Sequence, residues 1–312
     1  MAEIAVSRIE RAVDVIDPVF LRSPLVSDDQ LSAALGREVL VKVETVNPIR
    51  SFKGRGADYF VSGLAAGQRV VCASAGNFGQ AMAYAGRRRS VQVRVYTALS
   101  ANPAKVARMQ TLGAEIVQVG ADFDVAKDAA RELSRQDPSW VFVEDGHEPA
   151  VAEGAGTIGL ELLAATDLDA VVLPVGNGAL ITGVGRLLKE RSPSTKVVGV
   201  CARGAVAMLE AWRTGRVEPT TSVDTIADGI AVRVPVPNAV RWMREVVDEV
   251  VAVPDSALVD AMRLAADTLG LVLEPSGAAG LAAIAEHDLP AGRIATVLTG
   301  SNVSPGLVRL AA

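Results

Sequence analysis

Short runs of β-branched and other apolar residues alternate along this chain with longer, Ala-rich stretches in which apolar positions recur at helical spacing. The runs Arg69 to Ala73, Val91 to Tyr96, Glu115 to Val119, Trp140 to Val143, Ala170 to Pro174, Lys196 to Cys201 and Arg293 to Leu298 read as strands. Between them, Asn77 to Arg89, Asn102 to Leu112, Asp124 to Arg135, Gly178 to Glu190 and Asp255 to Thr268 read as amphipathic helices. Strand, helix and strand in repetition require crossover connections, so the pattern predicts an α/β fold with parallel sheets flanked by helices. No fixed-period repeat, low-complexity segment or composition break divides the chain. Two domains would therefore require one to be inserted into the other. The stretch Arg216 to Val240, rich in Pro, Thr and Asp, reads as an ordered connection over a site.

Composition narrows the function classes. A chain of 312 residues can bury a closed site within one or two domains. Half of it is hydrophobic but only 4% is aromatic, so the apolar mass comes from Ala, Val, Leu and Ile, as in helix-covered parallel sheets. The net charge of -5, with no basic run beyond Arg87, Arg88 and Arg89, offers nucleic acid nothing to hold. Cys72 and Cys201 are the only cysteines, and His147 and His287 the only histidines. They make neither a zinc cluster nor a disulfide framework, and two buried thiols fit a reducing cytoplasm. Glu3, Arg8 and Glu10 interrupt the first ten residues, and no stretch runs ~20 apolar residues without a charge. A soluble cytoplasmic protein, with no membrane and no nucleic-acid partner, is the expectation.

Five segments can carry chemistry. Asn47 to Gly56 reads N-P-I-R-S-F-K-G-R-G, with Lys53 just before a helical stretch. A neutral amine there can form an imine with an aldehyde, although on this segment alone a solvated surface lysine beside a turn is the better reading. Ser74 to Gln80, S-A-G-N-F-G-Q, follows one strand and opens a helix. Val175 to Leu180, V-G-N-G-A-L, does the same after another, and its backbone N–H groups can cradle a phosphate. Both turns lack the acidic residue that a dinucleotide fold places about 20 residues on to hold a ribose hydroxyl: the next strands end Val200, Cys201, Ala202 and Tyr96, Thr97, Ala98. A cofactor with a single phosphate fits better than a nicotinamide dinucleotide. Near the C-terminus come E-P-S-G-A-A-G from Glu274 and T-G-S-N from Thr299, whose hydroxyl is either a ligand contact at a strand end or a helix N-cap.

Taken in order, these segments resemble the fold type II pyridoxal-phosphate enzymes, and within them threonine dehydratase and serine racemase. The likeness runs from about Ile9 to Val303 and also includes S-P-L at Ser23, V-K-V-E-T at Val41, E-P-A-V-A-E-G-A-G-T at Glu148, L-P-V-G-N-G-A-L from Leu173 and T-I-A-D-G-I-A-V at Thr225. The resemblance implies two open, twisted, mostly parallel sheets flanked by helices. A large cofactor-binding domain would comprise 1–68 and 147–312, with 69–146 a small inserted domain, and two chains would form a homodimer. It implies that Lys53 holds pyridoxal 5'-phosphate as an imine and abstracts the substrate α-proton. Phe52 would pack near the pyridine ring, and Asn77 would bond its 3-hydroxyl. Backbone amides of Gly176, Asn177, Gly178, Ala179 and Leu180 would cradle the phosphate. Thr299 would meet the ring nitrogen with a neutral hydroxyl, which favours prompt loss of a β-leaving group over a long-lived carbanion. Ser74, Ala75, Asn77 and Phe78 would line the substrate side, the first three receiving its carboxylate. The reaction implied is α,β-elimination of a β-hydroxy amino acid such as threonine or serine, giving a 2-oxo acid and ammonia, with the cofactor phosphate assisting loss of hydroxide. The alternatives are β-replacement, racemisation, or cofactor binding without turnover.

The sequence also departs from that pattern. Ala75 stands where racemases carry a second serine, which disfavours racemisation. Cys201, Ala205 and Ala207 replace the acidic positions of metal-dependent relatives, so no bound divalent metal is expected. Phe78 replaces a histidine, and Glu144, Asp145, Gly146 and His147 replace a segment led by His-Pro. Phe78 is a packing residue or a specificity residue on this reading. Glu144 and Asp145 are either solvated loop charges or a preference for a cationic substrate. With ten residues after Asn302, no appended regulatory domain, and hence no feedback control, is expected.

Overall fold

The alternation of runs and periodic stretches resolves into two sheets in the computed structural model, which describes residues 3–290, 292–304 and 306–307. The chain enters through α1 (Val6–Val15), β1 (Leu25–Ser27), α2 (Asp29–Ala34), β2 (Val39–Val43) and α3 (Lys53–Ser62). It continues through β3 (Arg69–Ala73), α4 (Asn77–Arg89), β4 (Val93–Thr97), α5 (Pro103–Thr111), β5 (Glu115–Gln118), α6 (Phe123–Gln136) and β6 (Trp140–Phe142). Then come α7 (Pro149–Ala165), β7 (Ala170–Pro174), α8 (Ala179–Arg191), β8 (Lys196–Ala202), α9 (Ala207–Thr214) and α10 (Pro237–Val246). The described chain closes with β9 (Glu249–Val253), α11 (Asp255–Leu269), α12 (Pro275–Glu286) and β10 (Ile294–Leu298). One sheet has the order β5-β4-β3-β6 and is parallel throughout. The other has the order β1-β2-β10-β7-β8-β9, parallel except for the β1–β2 pair.

The register explains why the last strand carries a site. β10 lies between β2 and β7, with Ile294 opposite both Val39 and Ala170, so the residues that follow Leu298 emerge at the carboxyl end of the sheet centre. In open parallel sheets that is where ligands bind. The four strands of the other sheet all fall between Arg69 and Phe142, inside the 69–146 segment. The larger range, 147–312, includes residue 291, residue 305 and residues 308–312, which lie outside the described ones.

Three strands and several helices escaped the sequence pattern for physical reasons. β1 is only three residues long, while β2 and β9 each carry a charge, Lys42 and Glu249. Helices α7 and α12 are buried over most of their circumference and so show no polar face to mark a period. The irregular stretch from Arg216 also ends before Val240: Pro237, at the first helical position, presets the backbone and α10 begins there.

One apolar cluster joins the four-stranded sheet to α1, α3 and α7. Ile9, Phe20 and Phe60 pack in the same cluster as Val70, Phe78, Met82 and Met109, with α3 lying against both α4 and α7. Cys72 and Cys201 are fully buried, and burial pushes both thiols up to about 12. The native protein should therefore leave a chromogenic thiol reagent unreacted, while two thiols titrate in denaturant. A native thiol reacting within seconds would contradict this burial. Among the described residues no helix is long and apolar enough to cross a membrane.

Candidate active site

The loop that presents Lys53 is folded by one asparagine. Asn47 Oδ1 accepts from Ile49 N (3.1 Å) and Ser51 N (3.3 Å), while its Nδ2 donates to the carbonyls of Glu44 (2.8 Å) and Ser51 (3.1 Å). Arg50 takes the left-handed conformation, with φ of 53°, which a non-glycine residue holds only where its surroundings enforce it. Here the segment after β10 does so: Ser301 N donates to Arg50 O (3.0 Å), Phe52 N to Thr299 O (3.1 Å) and Asn302 Nδ2 to Ile49 O (2.8 Å). Lys53 is thereby fixed at the first turn of α3 beside Thr299.

Around it lies a cavity of about 490 Å³ between the carboxyl ends of the two sheets. All twelve residues singled out in the sequence line it: Phe52 and Lys53; Ser74, Ala75, Asn77 and Phe78; Gly176 through Leu180; and Thr299. Two helices aim their N-termini into it. α4 starts at Asn77, and the Ser74 hydroxyl accepts from Gly76 N (3.2 Å) and Gly79 N (2.9 Å), leaving its own proton free to donate. α8 starts after Gly178, whose φ of 93° suits only glycine, and its ladder begins with Thr182 N donating to Gly178 O (3.0 Å). The N–H groups ahead of that bond are the ones a helix start leaves open for an anion. A side chain at Gly176 would sit 2.6 Å from Gly229 O, so the turn admits no bulk there. A phosphate fits this cradle, an aldehyde fits the amine of Lys53, and a flat ring fits the space bounded by Phe52, Asn77 and Thr299. The residues present therefore suit pyridoxal phosphate.

Sequence reasoning missed the residues that hold these groups. Asn77 Nδ2 donates to Glu274 Oε1 (2.7 Å), and its Oδ1 accepts from Asn302 Nδ2 (2.7 Å), which fixes the amide at both ends. Glu274, 4% exposed, also accepts from Asn302 N (3.0 Å) and Ser276 Oγ (3.3 Å). Ser276 O in turn accepts from Thr299 Oγ1 (3.3 Å). The motif containing Glu274 was visible, but nothing local shows that its carboxylate reaches a helix start 197 residues earlier.

Burial pushes the Glu274 carboxyl above the ordinary range, the nearby Asp228 adds to this, and the Asn77 amide opposes it. The folded state then holds a proton that the unfolded state releases, so stability falls as pH rises from the ordinary glutamate value through the raised one. Glu148, raised mainly by burial, has the same sign. Glu274→Gln should remove its share: in urea melts across that window, the wild type loses more stability with rising pH than the variant. Parallel curves would contradict the assignment.

Two departures noted in the sequence are resolved here. Phe78, 7% exposed, packs in the core while one edge meets the cavity. Glu144 and Asp145 are not solvated: Glu144 pairs with Lys127 (3.3 Å) and Arg131 (2.8 Å), and Asp145 contacts the ammonium of Lys53. Across the mouth, Lys105 pairs with Asp228 and Arg233 with Asp124, joining the two sheets' loops by charge. Val223 and residues 228–234 form that rim, so the irregular stretch does pass over the site.

An open α/β cleft with a lysine at one helix start and a phosphate cradle at another defines an enzyme that works through a carbonyl cofactor. Residues 16–300 match the family described as pyridoxal-phosphate dependent enzyme, and the chain belongs to that family; its cofactor is pyridoxal phosphate. It is 33% identical over 310 residues to L-threonine ammonia-lyase of Thermotoga maritima, covering 98% of this chain and 77% of that protein. It is 35% identical over 290 residues to the biosynthetic L-threonine dehydratase of Salmonella typhimurium, where it spans 90% of this chain and only 56% of the relative. Maize serine racemase superposes with a TM-score of 0.92 at 27% identity, covering 99% of this chain and 96% of that one. The threonine deaminase of Solanum lycopersicum, isoform 2 in its processed form, superposes at 0.89 with 30% identity, covering 98% and 93%.

Proposed function

We propose that this protein is a pyridoxal-phosphate-dependent ammonia-lyase that eliminates the β-hydroxyl of threonine or serine to give a 2-oxo acid and ammonia. The observation that carries the reading is Lys53 at the start of α3, lining one cavity with the starts of α4 and α8. When bound, the cofactor withdraws electrons from the substrate α-carbon. Lys53 would hold the cofactor and, as the free amine, would take the α-proton at Nζ. The open N–H groups of Gly176 through Leu180 hold the phosphate. The Ser74 hydroxyl, the start of α4 and the Asn77 amide hold the substrate carboxylate, placing the α-hydrogen before Lys53. Thr299 would meet the ring nitrogen with a hydroxyl that carries no charge, which would favour departure of the β-substituent. Phe52 and Phe78 wall the cavity and exclude water. The relatives named for threonine elimination support the substrate class.

The same reading takes 69–146 as a small domain inserted into 1–68 and 147–312, and the protein as a cytoplasmic homodimer, which sedimentation equilibrium tests. Incubation of the loaded enzyme with threonine and with serine should release 2-oxo acid and ammonia in equal amounts with no added nucleophile. Turnover only in the presence of a second nucleophile would replace elimination by β-replacement.

A further inference from the structure

Six acidic side chains line the cavity, Asp122, Asp124, Glu144, Asp145, Asp228 and Glu274, and five have a partner other than Lys53. Asp122 caps α6 by accepting from Val125 N (3.0 Å), Asp124 and Glu144 pair with cations of α6 and of the rim, Asp228 pairs with Lys105, and Glu274 holds Asn77. Asp145 is the exception. Its side chain is 9% exposed, its Oδ2 contacts Lys53 Nζ, and its Oδ1 is buried with no hydrogen-bond partner among the described residues. The Lys53 side chain is 16% exposed, so water screens little of this pair.

The geometry points to Asp145 as a positioning residue that receives Lys53 whenever its amine is not joined to the cofactor, a role that rests on Lys53 being the cofactor lysine. During turnover a substrate displaces the amine, and Nζ can then lie against the carboxylate as it does here. That contact fixes where the base sits and stabilises the ammonium formed when it takes the α-proton. Joining the cofactor requires Nζ to leave the carboxylate and strand it in a buried setting, which is costly. Asp145 therefore acts in two opposite directions: it speeds the step in which Lys53 carries a proton and weakens capture of the cofactor. A residue that merely shaped the cavity would, when removed, harm both.

Asp145→Asn keeps the shape and removes the charge. Titration of the cofactor-free protein with pyridoxal phosphate, followed by absorbance, should show a dissociation constant about tenfold lower than wild type, equivalent to ~1.4 kcal/mol. The loaded variant should have kcat lower by about tenfold or more, KM little changed, and a larger isotope effect with α-deuterated substrate. Asp145→Glu should recover part of kcat. Weaker or unchanged cofactor binding in Asp145→Asn would overturn the assignment, as would an unchanged kcat. If that variant does not fold, Asp145→Ser is read in the same titration with the same expected direction. The cofactor titration also separates this inference from the proposed reaction: a wild type that captures cofactor but releases no 2-oxo acid sinks the reaction, and the Asp145 result still stands or falls on binding.

Discussion

Lys53→Ala should abolish release of 2-oxo acid from threonine and serine, with kcat down by at least about 10³-fold in a protein that still folds. The size follows from the two tasks that the proposed reaction gives to one nitrogen, covalent attachment and proton transfer. The other basic side chains on the cavity wall, Lys105, Lys127 and Arg233, are each tied to a carboxylate of the rim or of α6. Lys53 is the first residue of α3 and its side chain lies in the cavity rather than in the core, so the stability cost should be confined to the Asp145 carboxylate that loses its ammonium partner. The variant should still bind phosphate-bearing cofactor weakly through the α8 cradle, without the covalent absorbance. Residual activity within tenfold of wild type would mean that Lys53 is not the base.

Arg55→Ala should cost about 3–5 kcal/mol of folding stability, the largest effect expected outside the apolar core. Arg55 is fully buried two residues after Lys53. Its Nε and Nη2 donate to Glu44 (3.0 and 2.7 Å), its Nη1 and Nη2 to Glu161 (2.7 and 3.0 Å), and its Nη1 to Thr157 Oγ1 (3.0 Å). Burial alone would lower its affinity for a proton, but Glu44 and Glu161 outweigh that and hold the guanidinium above its ordinary value. Truncation leaves Glu44, 0% exposed, as an uncompensated buried charge. Against a typical total of about 5–15 kcal/mol, such a loss should be plain in urea denaturation. The fork joins α3 to β2's end and to α7, so cofactor affinity should fall as well. Adding Glu44→Gln to Arg55→Ala should restore part of the loss, because it removes the stranded charge. A change below about 1 kcal/mol in Arg55→Ala would show that the buried cluster contributes little.

How far the sequence could be read follows from the range over which each signal acts. Strands such as Ala170–Pro174 and helices such as Asn77–Arg89 carry their periods within a dozen residues, and their bounds in the structure match those read from the pattern. The turns at 74–77 and 176–180 were also legible, because a glycine-rich segment between a strand and a helix defines its own geometry. Two buried helices were not: α7 and α12 are apolar on nearly every side, so nothing distinguishes their faces. The pairings that tie the site together were equally out of reach, since Lys53 and Asp145 lie 92 residues apart and Asn77 and Glu274 lie 197 apart. Asp145 reads in the sequence only as an unusual charge, and its contact with Lys53 is made by the loop that follows β6.

The most direct test is borohydride reduction of the cofactor-loaded protein followed by peptide mapping. The expected result is a single pyridoxyl adduct on the tryptic peptide containing Lys53, with loss of the visible absorbance. A protein that stays colourless after reconstitution, or an adduct carried by any other lysine, would contradict the assignment of this cleft as a lysine-centred cofactor site.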